Sequence, residues 1–163
     1  MNISKTFLST AAALILAPAV AIAAPIPVTV SVEATIPAAA GLQVTPVGGW
    51  DSITQRMSWD IARQDLQPIS QQIDMKNSSG AINGYLVSDA ALTSGANSLP
   101  LTVAVNGKTL PVGAAAAVEL LTAAEAGASK RVGVNISTTR PGAGYVEGNY
   151  TGLVYMMFDA VAP

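Results

Sequence analysis

Residues 26–36 read Ile-Pro-Val-Thr-Val-Ser-Val-Glu-Ala-Thr-Ile and form the cleanest apolar stripe of the chain. Every even position is apolar, from Ile26 to Ile36, and polar residues such as Thr29 and Glu33 stand between them. Alternation with a period of two is typical of a β-strand that buries one face. The stretch therefore predicts a strand whose even-numbered side chains require burial, either within its own fold or in the groove of another chain.

The same alternation recurs along the rest of the chain. It predicts further strands over residues 53–61, 69–75, 99–105, 132–136 and 150–161. Asn106-Gly107 follows the third of these and favours a tight hairpin, so that residues 108–112 are expected to return as a strand. The last segment is apolar on both faces, which is typical of a central or protected strand.

One segment departs from the strand pattern. Residues 114–126 are rich in Ala, Leu and Glu, and they predict a short helix near residues 118–126 that ends at Gly127. The remaining Gly- and Pro-bearing stretches read as turns. Many short strands separated by turns indicate an all-β protein of the β-sandwich class.

The first 23 residues have the pattern of an export signal. Lys5 precedes an apolar run over residues 7–22, and Ala21-Ile22-Ala23 offers the small-x-small motif that a signal peptidase accepts. Cleavage is expected after Ala23, with Ala24 as the alternative site. The competing interpretation is an uncleaved membrane anchor, but the run is short and contains Pro18. Since Lys5 is the only charged side chain removed, the 140 remaining residues would carry a formal charge of −3 instead of −2.

The composition argues against most catalytic and nucleic-acid functions. The chain contains no His and no Cys, so the commonest general base, the thiolate nucleophile and the usual zinc ligands are missing. We expect no cofactor and no metal site. The acidic side chains are scattered, which leaves a hydrolase with a carboxylate pair as a remote alternative. No stripe of Lys and Arg is present, and nucleic acid is not an expected partner.

The aromatic residues leave a binding function open. Trp59 falls on the predicted apolar face of its strand and is expected in the core. Trp50 follows two glycines and is expected to be exposed, so that Trp50 and Tyr145 are the candidate ligand contacts. A secreted, monomeric module that binds carbohydrate or protein is therefore the alternative function.

Both ends of the chain resemble a known family. The segment Pro-Val-Thr-Val-Ser-Val-Glu-Ala at residues 27–34 resembles the N-terminal segment of major pilins from the alternate chaperone–usher pathway, the class 5 or colonisation-factor-antigen type of fimbriae. Gly-Asn-Tyr-Thr-Gly-Leu-Val at residues 148–154 resembles the opening of their C-terminal strand. Residues 120–127 and 130–136 are similar to the Ala-rich stretch of these pilins and the strand after it.

The resemblance implies an immunoglobulin-like β-sandwich that is incomplete in the monomer and is completed by a donor strand. The implied organisation is a signal peptide (1–23), a donor strand (24–36) and a pilin domain (37–163). The donor side chains would be Ile26, Val28, Val30 and Val32. The acceptor groove would be bordered by the C-terminal strand, at Tyr150, Gly152, Val154, Met156 and Phe158.

The resemblance also implies a function and a set of partners. The chain would be the major shaft subunit of a fimbria that supports adhesion, exported through the periplasm to the cell surface. It would form a homopolymer, assisted by a periplasmic chaperone and an outer-membrane usher, and a tip adhesin would stand at the end of the fibre.

Overall fold

The computed structural model of the chain describes residues 41–161. These residues form eleven β-strands, one short α-helix and two single 3-10 turns. The strands are β1 (Gln43–Pro46), β2 (Trp59–Asp60), β3 (Asp65–Leu66), β4 (Ile69–Lys76), β5 (Ala81–Leu86), β6 (Ala91–Ser94), β7 (Asn97–Val105), β8 (Lys108–Thr109), β9 (Val118–Leu121), β10 (Lys130–Thr138) and β11 (Met156–Val161). The helix α1 is Ala123–Gly127, and the 3-10 turns are Trp50–Ser52 and Ala114–Ala116. No helix in the described part has the length and apolar character to cross a bilayer.

The larger sheet contains the strands with the clearest alternation in sequence. Its order is β1-β4-β10-β7-β6, all neighbours are antiparallel, and β8 pairs with β7. Val134 of β10 stands opposite Val105 of β7, and Ile136 stands opposite Val103. Because opposite side chains in an antiparallel pair share one face, these pairs form a continuous apolar layer.

The smaller sheet has the order β11-β5-β9. Its middle strand buries alternate positions, among them Ile82 and Leu86. Gly84 lies between them, and a Cβ atom there would come within 2.6 Å of Leu120 Cδ1. The missing side chain lets Leu120 of β9 fill the space, so that the interior stays close-packed.

The predicted strands 69–75, 99–105 and 132–136 are confirmed as β4, β7 and β10, and the Asn106-Gly107 hairpin is confirmed between β7 and β8. The returning strand is shorter than the predicted 108–112, since β8 ends at Thr109. Both turn residues have positive φ, 51° at Asn106 and 75° at Gly107. These angles are those that a tight two-residue hairpin requires. The pattern did not predict β1, β5 and β6, which complete the two sheets, nor β3, which pairs with β2.

The predicted helix near 118–126 is wrong in its first half. Residues Val118–Leu121 form β9, which pairs with β5, and only Ala123–Gly127 is helical. Leu120 and Leu121 are both fully buried, and this burial outweighs the local helix preference. The helix begins where Thr122 and Glu125 form a capping box, in which each side chain accepts a hydrogen bond from the backbone of the other.

The strand predicted over residues 53–61 is also wrong. Only Trp59–Asp60 is extended and paired, and Ile53 and Ile61 are 65% and 83% exposed. Residues 53–58 have no strand partner among the described residues, so that the alternation there does not correspond to a buried face.

The strand predicted over residues 150–161 is shorter than expected, since β11 begins at Met156. Within the described part of the chain β11 is an edge strand, whereas its sequence is apolar on both faces. The central or protected position that the sequence predicts is therefore not seen among residues 41–161.

Candidate functional site

Residues 150–158 cross from one sheet to the other. Thr151 pairs with Thr93 of β6, at N–O distances of 2.8 and 3.0 Å. The carbonyl oxygen of Tyr155 then accepts a hydrogen bond of 3.0 Å from the backbone N–H of Val87, next to β5. The segment between these two attachments bridges the edges of both sheets.

Gly152 allows the crossing to pass close to β6. A Cβ atom at this position would lie 2.1 Å from the carbonyl oxygen of Ala91 and 3.2 Å from Cα of Leu92. Both contacts are with backbone atoms, which have little freedom to move. Glycine is the residue that such a close backbone approach requires.

The side chains of the crossing and of β11 alternate between core and solvent. Val154, Met156 and Phe158 are half-buried and pack against the core cluster, whereas Leu153 and Tyr155 are 70% and 56% exposed. Within residues 41–161 only β5 pairs with β11. The second edge of β11 therefore presents unpaired backbone groups beside apolar side chains that are covered only in part.

A cavity of about 440 Å³ opens beside this segment, and we call it the groove. One wall is residues 152–156 and the other is the stretch from Trp50 to Gln55. The floor consists of one apolar side chain from each of four strands of the larger sheet: Ile69, Leu92, Leu101 and Ile136. Asp51 is the one charged residue among the described lining residues, so the groove is suited to apolar side chains.

The predicted acceptor residues divide between two places. Gly152, Val154 and Met156 line the groove, and Phe158 continues their face along β11. Tyr150 lies in a neighbouring cavity, where its hydroxyl donates to the carbonyl oxygen of Val146 at 3.0 Å. The predicted donor residues Ile26, Val28, Val30 and Val32 lie outside the described residues. The floor residues Ile69, Leu101 and Ile136 fall on predicted apolar faces, whereas Leu92 lies in β6, which the pattern did not predict. Nothing local in the sequence distinguishes a covered position from one at an opening.

The expected exposure of Trp50 is wrong. Gly48 and Gly49 adopt positive φ, and the 3-10 turn that follows places the indole inward, leaving 8% of Trp50 exposed. Its Nε1 donates a 2.9 Å hydrogen bond to the carbonyl oxygen of Gln72 in β4. Trp50 therefore packs in the core beside the groove and has little surface left for a soluble ligand.

The expected burial of Trp59 is wrong in the opposite direction. Trp59 is 48% exposed and contacts Tyr145 edge-to-face, with ring centroids 5.3 Å apart. The predicted exposure is thus wrong for both tryptophans. Trp50 lies in a 3-10 turn, and Trp59 lies in a strand of only two residues, so that alternation does not predict the face of either side chain.

None of the charged pairs of residues 41–161 lines the groove. Arg131 donates two 2.8 Å hydrogen bonds to Asp74 on the neighbouring strand, and these bonds lower the pKa of the Asp74 carboxyl. Glu125 pairs with Lys130 at 2.6 Å. In the described part of the chain no group of three acidic, His or Cys residues could hold a metal ion.

Comparison with known proteins agrees with this architecture. Residues 26–159 match the family described as CS1 type fimbrial major subunit. The chain belongs to this family. Its fold is also that of the CooA pilin subunit from enterotoxigenic Escherichia coli, with a TM-score of 0.54 and 15% sequence identity over 71% of this chain and 86% of that chain. No curated protein is significantly similar to this chain in sequence.

Membership of the CS1 type fimbrial major subunit family gives the function in outline. The chain is a structural pilin that polymerises with copies of itself into a fimbria at the cell surface. The predicted immunoglobulin-like β-sandwich is confirmed by the sheets of residues 41–161 and by the pilin match.

Proposed function

We propose that this pilin polymerises by donor-strand exchange, in which residues 24–36 of one subunit occupy the groove of the next. The observation that carries the proposal is the unpaired edge of β11, next to Val154, Met156 and Phe158, whose core-facing sides are only half covered. An added strand would supply both backbone partners and apolar cover.

The spacing of the two segments supports the fit. Gly152, Val154, Met156 and Phe158 present four alternate positions, and Ile26, Val28, Val30 and Val32 present four alternate apolar side chains. At about 3.3 Å per residue, each set spans about 20 Å. The two segments can therefore lie side by side over their whole length.

The expected stabilisation is large for a small domain. Burying four aliphatic side chains at about 1.5–3 kcal/mol each contributes about 6–12 kcal/mol before the entropy of ordering the strand is subtracted. A domain's entire stability is about 5–15 kcal/mol. The chain has no Cys and therefore no disulfide to replace this contribution.

The assembly route follows from an exposed groove. We propose that residues 1–23 direct export to the periplasm and are removed, and that a chaperone covers the groove until an outer-membrane usher exchanges it for the next subunit. The subunit described here forms the shaft, its role is structural and not enzymatic, and a separate tip adhesin ends the fibre and supports adhesion to host or other surfaces.

The test is a matched pair of substitutions in the donor segment. Val30→Asp places a carboxylate in the apolar groove, whereas Thr29→Asp places one on the opposite face of the same strand. Cells that produce the Val30 variant with the neighbouring assembly proteins are expected to show no sodium dodecyl sulfate-resistant ladder in unheated samples and no fibres by electron microscopy. The Thr29 variant is expected to retain both.

Deletion of residues 24–36 is the second arm. It should abolish the ladder while the shortened subunit is still exported. A complete ladder after this deletion, or equal losses in both aspartate variants, would contradict donor-strand exchange through this segment.

A further inference from the structure

A second cavity, of about 380 Å³, lies between the ribbon formed by β2 and β3 and the loop 139–150. We call it the aromatic pocket. It is lined by Trp59, Leu66, Leu99, Tyr145, Glu147 and Tyr150, among others. Its volume is in the range of small-molecule sites, which are mostly apolar with a few placed polar groups.

The rings of Trp59 and Tyr145 form a corner. Their planes are at 89° and their centroids 5.3 Å apart, so that one ring can cover the flat side of a ligand while the other bounds its edge. Trp59 remains 48% exposed although a large indole gains much from burial. An indole held in this way provides a platform for an apolar ligand face.

The pocket is held in shape by hydrogen bonds on both sides. Asp60 accepts the backbone N–H groups of Ala62 and Arg63 and so fixes the turn of the ribbon, at 2.9 and 3.0 Å. The hydroxyl of Tyr150 fixes the loop by donating to the carbonyl of Val146. A preformed site loses less entropy when it binds a ligand.

Glu147 is the one charged residue that lines the pocket, and Asp65 lies behind it, bonded to the lining residue Tyr145. Asp65 Oδ1 accepts hydrogen bonds from the Tyr145 hydroxyl, at 2.5 Å, and from the backbone of Leu66, at 2.8 Å, and neither bond uses Oδ2. Glu147 is exposed at the rim and forms no ion pair within residues 41–161. A hydroxyl donor suits the Glu147 carboxylate, whereas an anionic ligand would be repelled by the negative charges of Glu147 and the nearby Asp65.

We propose that the aromatic pocket binds a neutral sugar ring of a glycan, with its C–H face on Trp59 and its hydroxyl groups on Glu147. An apolar side chain from another protein fits the site less well, because it would cover the Glu147 carboxylate without supplying a donor. The proposal gives the repeating shaft subunit a ligand site of its own, outside the groove, and it holds whether or not subunits are joined by donor strands.

The test is to titrate purified fibres with lactose, a neutral glycan, and separately with sialyllactose, an anionic one. Tryptophan fluorescence reports on the site, since Trp50 is buried and Trp59 is at the pocket. Lactose is expected to change the tryptophan emission until binding saturates. Sialyllactose is expected to bind with a Kd at least about tenfold higher, a difference of about 1.4 kcal/mol. Trp59→Ala is expected to abolish binding in a glycan array, and Glu147→Gln to weaken it.

Ile61→Ala is the matched control, because Ile61 is 83% exposed on the same ribbon and does not line the pocket. It should bind lactose like the unsubstituted fibre. Absence of any neutral-glycan signal from intact fibres would overturn the proposal, as would equal binding by the Trp59 variant. Loss of fibres in the Trp59 variant, with no glycan signal from the unsubstituted protein, would instead identify the pocket as a contact between subunits. Fibres that form normally but bind no glycan would leave donor-strand exchange intact.

Discussion

Gly152 is the residue at which a single added methyl group should have the largest effect. In Gly152→Ala the new Cβ would meet the carbonyl oxygen of Ala91 at 2.1 Å, and the crossing would have to move away from β6. We expect a loss of about 1–3 kcal/mol in the free energy of unfolding. Urea denaturation of the purified subunit measures it.

Gly133→Ala is the control for this substitution. Gly133 lies in β10 with nothing within 4 Å of its would-be Cβ and without positive φ, so alanine should be neutral or slightly stabilising there. Similar losses at both positions would mean that the close crossing does not determine the effect.

Glu125 should make stability depend on acid pH. Its pKa is lowered from 4.5 to about 2, chiefly by the hydrogen bond from Lys130 and then by those from Thr122. Because the folded-state pKa is the lower one, the contribution is fully present above pH 4.5 and is lost as the pH falls from there through 2. Glu125→Gln should therefore lower the melting temperature at pH 7 and leave it nearly unchanged at pH 2.

Glu119→Gln removes the same charge from an exposed side chain of β9 that forms no ion pair among the described residues. Its melting temperature should follow that of the unsubstituted protein at both pH values. An effect of Glu125→Gln that is equal at pH 7 and pH 2 would show that the carboxylate's charge is not responsible.

The two tryptophans show what the sequence predicts poorly at this scale. Alternation predicts a residue's face only inside a paired strand, and neither Trp50 nor the chain before Trp59 lies in one. The burial of Trp50 depends on Gly48 and Gly49 at positive φ and on a hydrogen bond to β4, 22 residues away. Contacts at that separation leave no periodic signal in the sequence.

At the scale of elements, substitution of the adjacent Met156 and Met157, which lie on opposite faces of β11, tests which face of the strand lines the groove. Met156 is half-buried, lines the groove and packs on the core, whereas Met157 is 47% exposed. Met156→Lys should lower the free energy of unfolding by about 2 kcal/mol or more, since it forces a charge towards apolar side chains. It should also remove the detergent-resistant ladder.

Met157→Lys should fold and polymerise almost normally, because its side chain points to solvent. Urea denaturation and unheated gel electrophoresis of both variants give the comparison. A ladder that is lost only in the Met157 variant would assign the groove to the other face of the strand.

The elements that the sequence predicts correctly are those whose pattern and tertiary role agree. In β4, β7 and β10 most apolar alternate positions stand opposite an apolar residue of a neighbouring strand, as Ile73 stands opposite Val132 and Val105 opposite Val134. Residues 118–126 show the opposite case, since their helix preference competes with the burial of Leu120 and Leu121 beside β5. The Thr-x-x-Glu spacing at Thr122 and Glu125 is a local signal that marks where the helix begins. The edge position of β11 has no such signal, because strand order depends on the whole chain.

For the whole molecule, a strand that is supplied by another chain makes the free energy of unfolding of the subunit depend on the concentration of that strand. A subunit shortened to residues 37–163 should be less stable than the mature chain assembled in fibres, and it should regain stability when a peptide of residues 26–36 is added. At a peptide concentration of 100 times Kd, the gain should be about 2.7 kcal/mol. Thermal unfolding at increasing peptide concentration measures it.

A peptide with Val30→Asp should have no effect at the same concentrations, and a peptide with Thr29→Asp should act like the original. If the shortened subunit is as stable as the mature chain in fibres and does not respond to the peptide, residues 26–36 are not the missing strand.

The antiparallel pairing of β11 with β5 has a mechanical consequence. It joins six residue pairs, from Met156 and Leu86 to Val161 and Ala81, with hydrogen bonds perpendicular to the strands. A neighbour's strand lying along β11 would transmit a pulling force parallel to these strands. The bonds would then be loaded in shear, all at once, and would not be peeled apart singly. A fimbria built in this way should resist the drag of flowing fluid for two reasons: the donor strand binds tightly, and the pulling force loads all of its hydrogen bonds together.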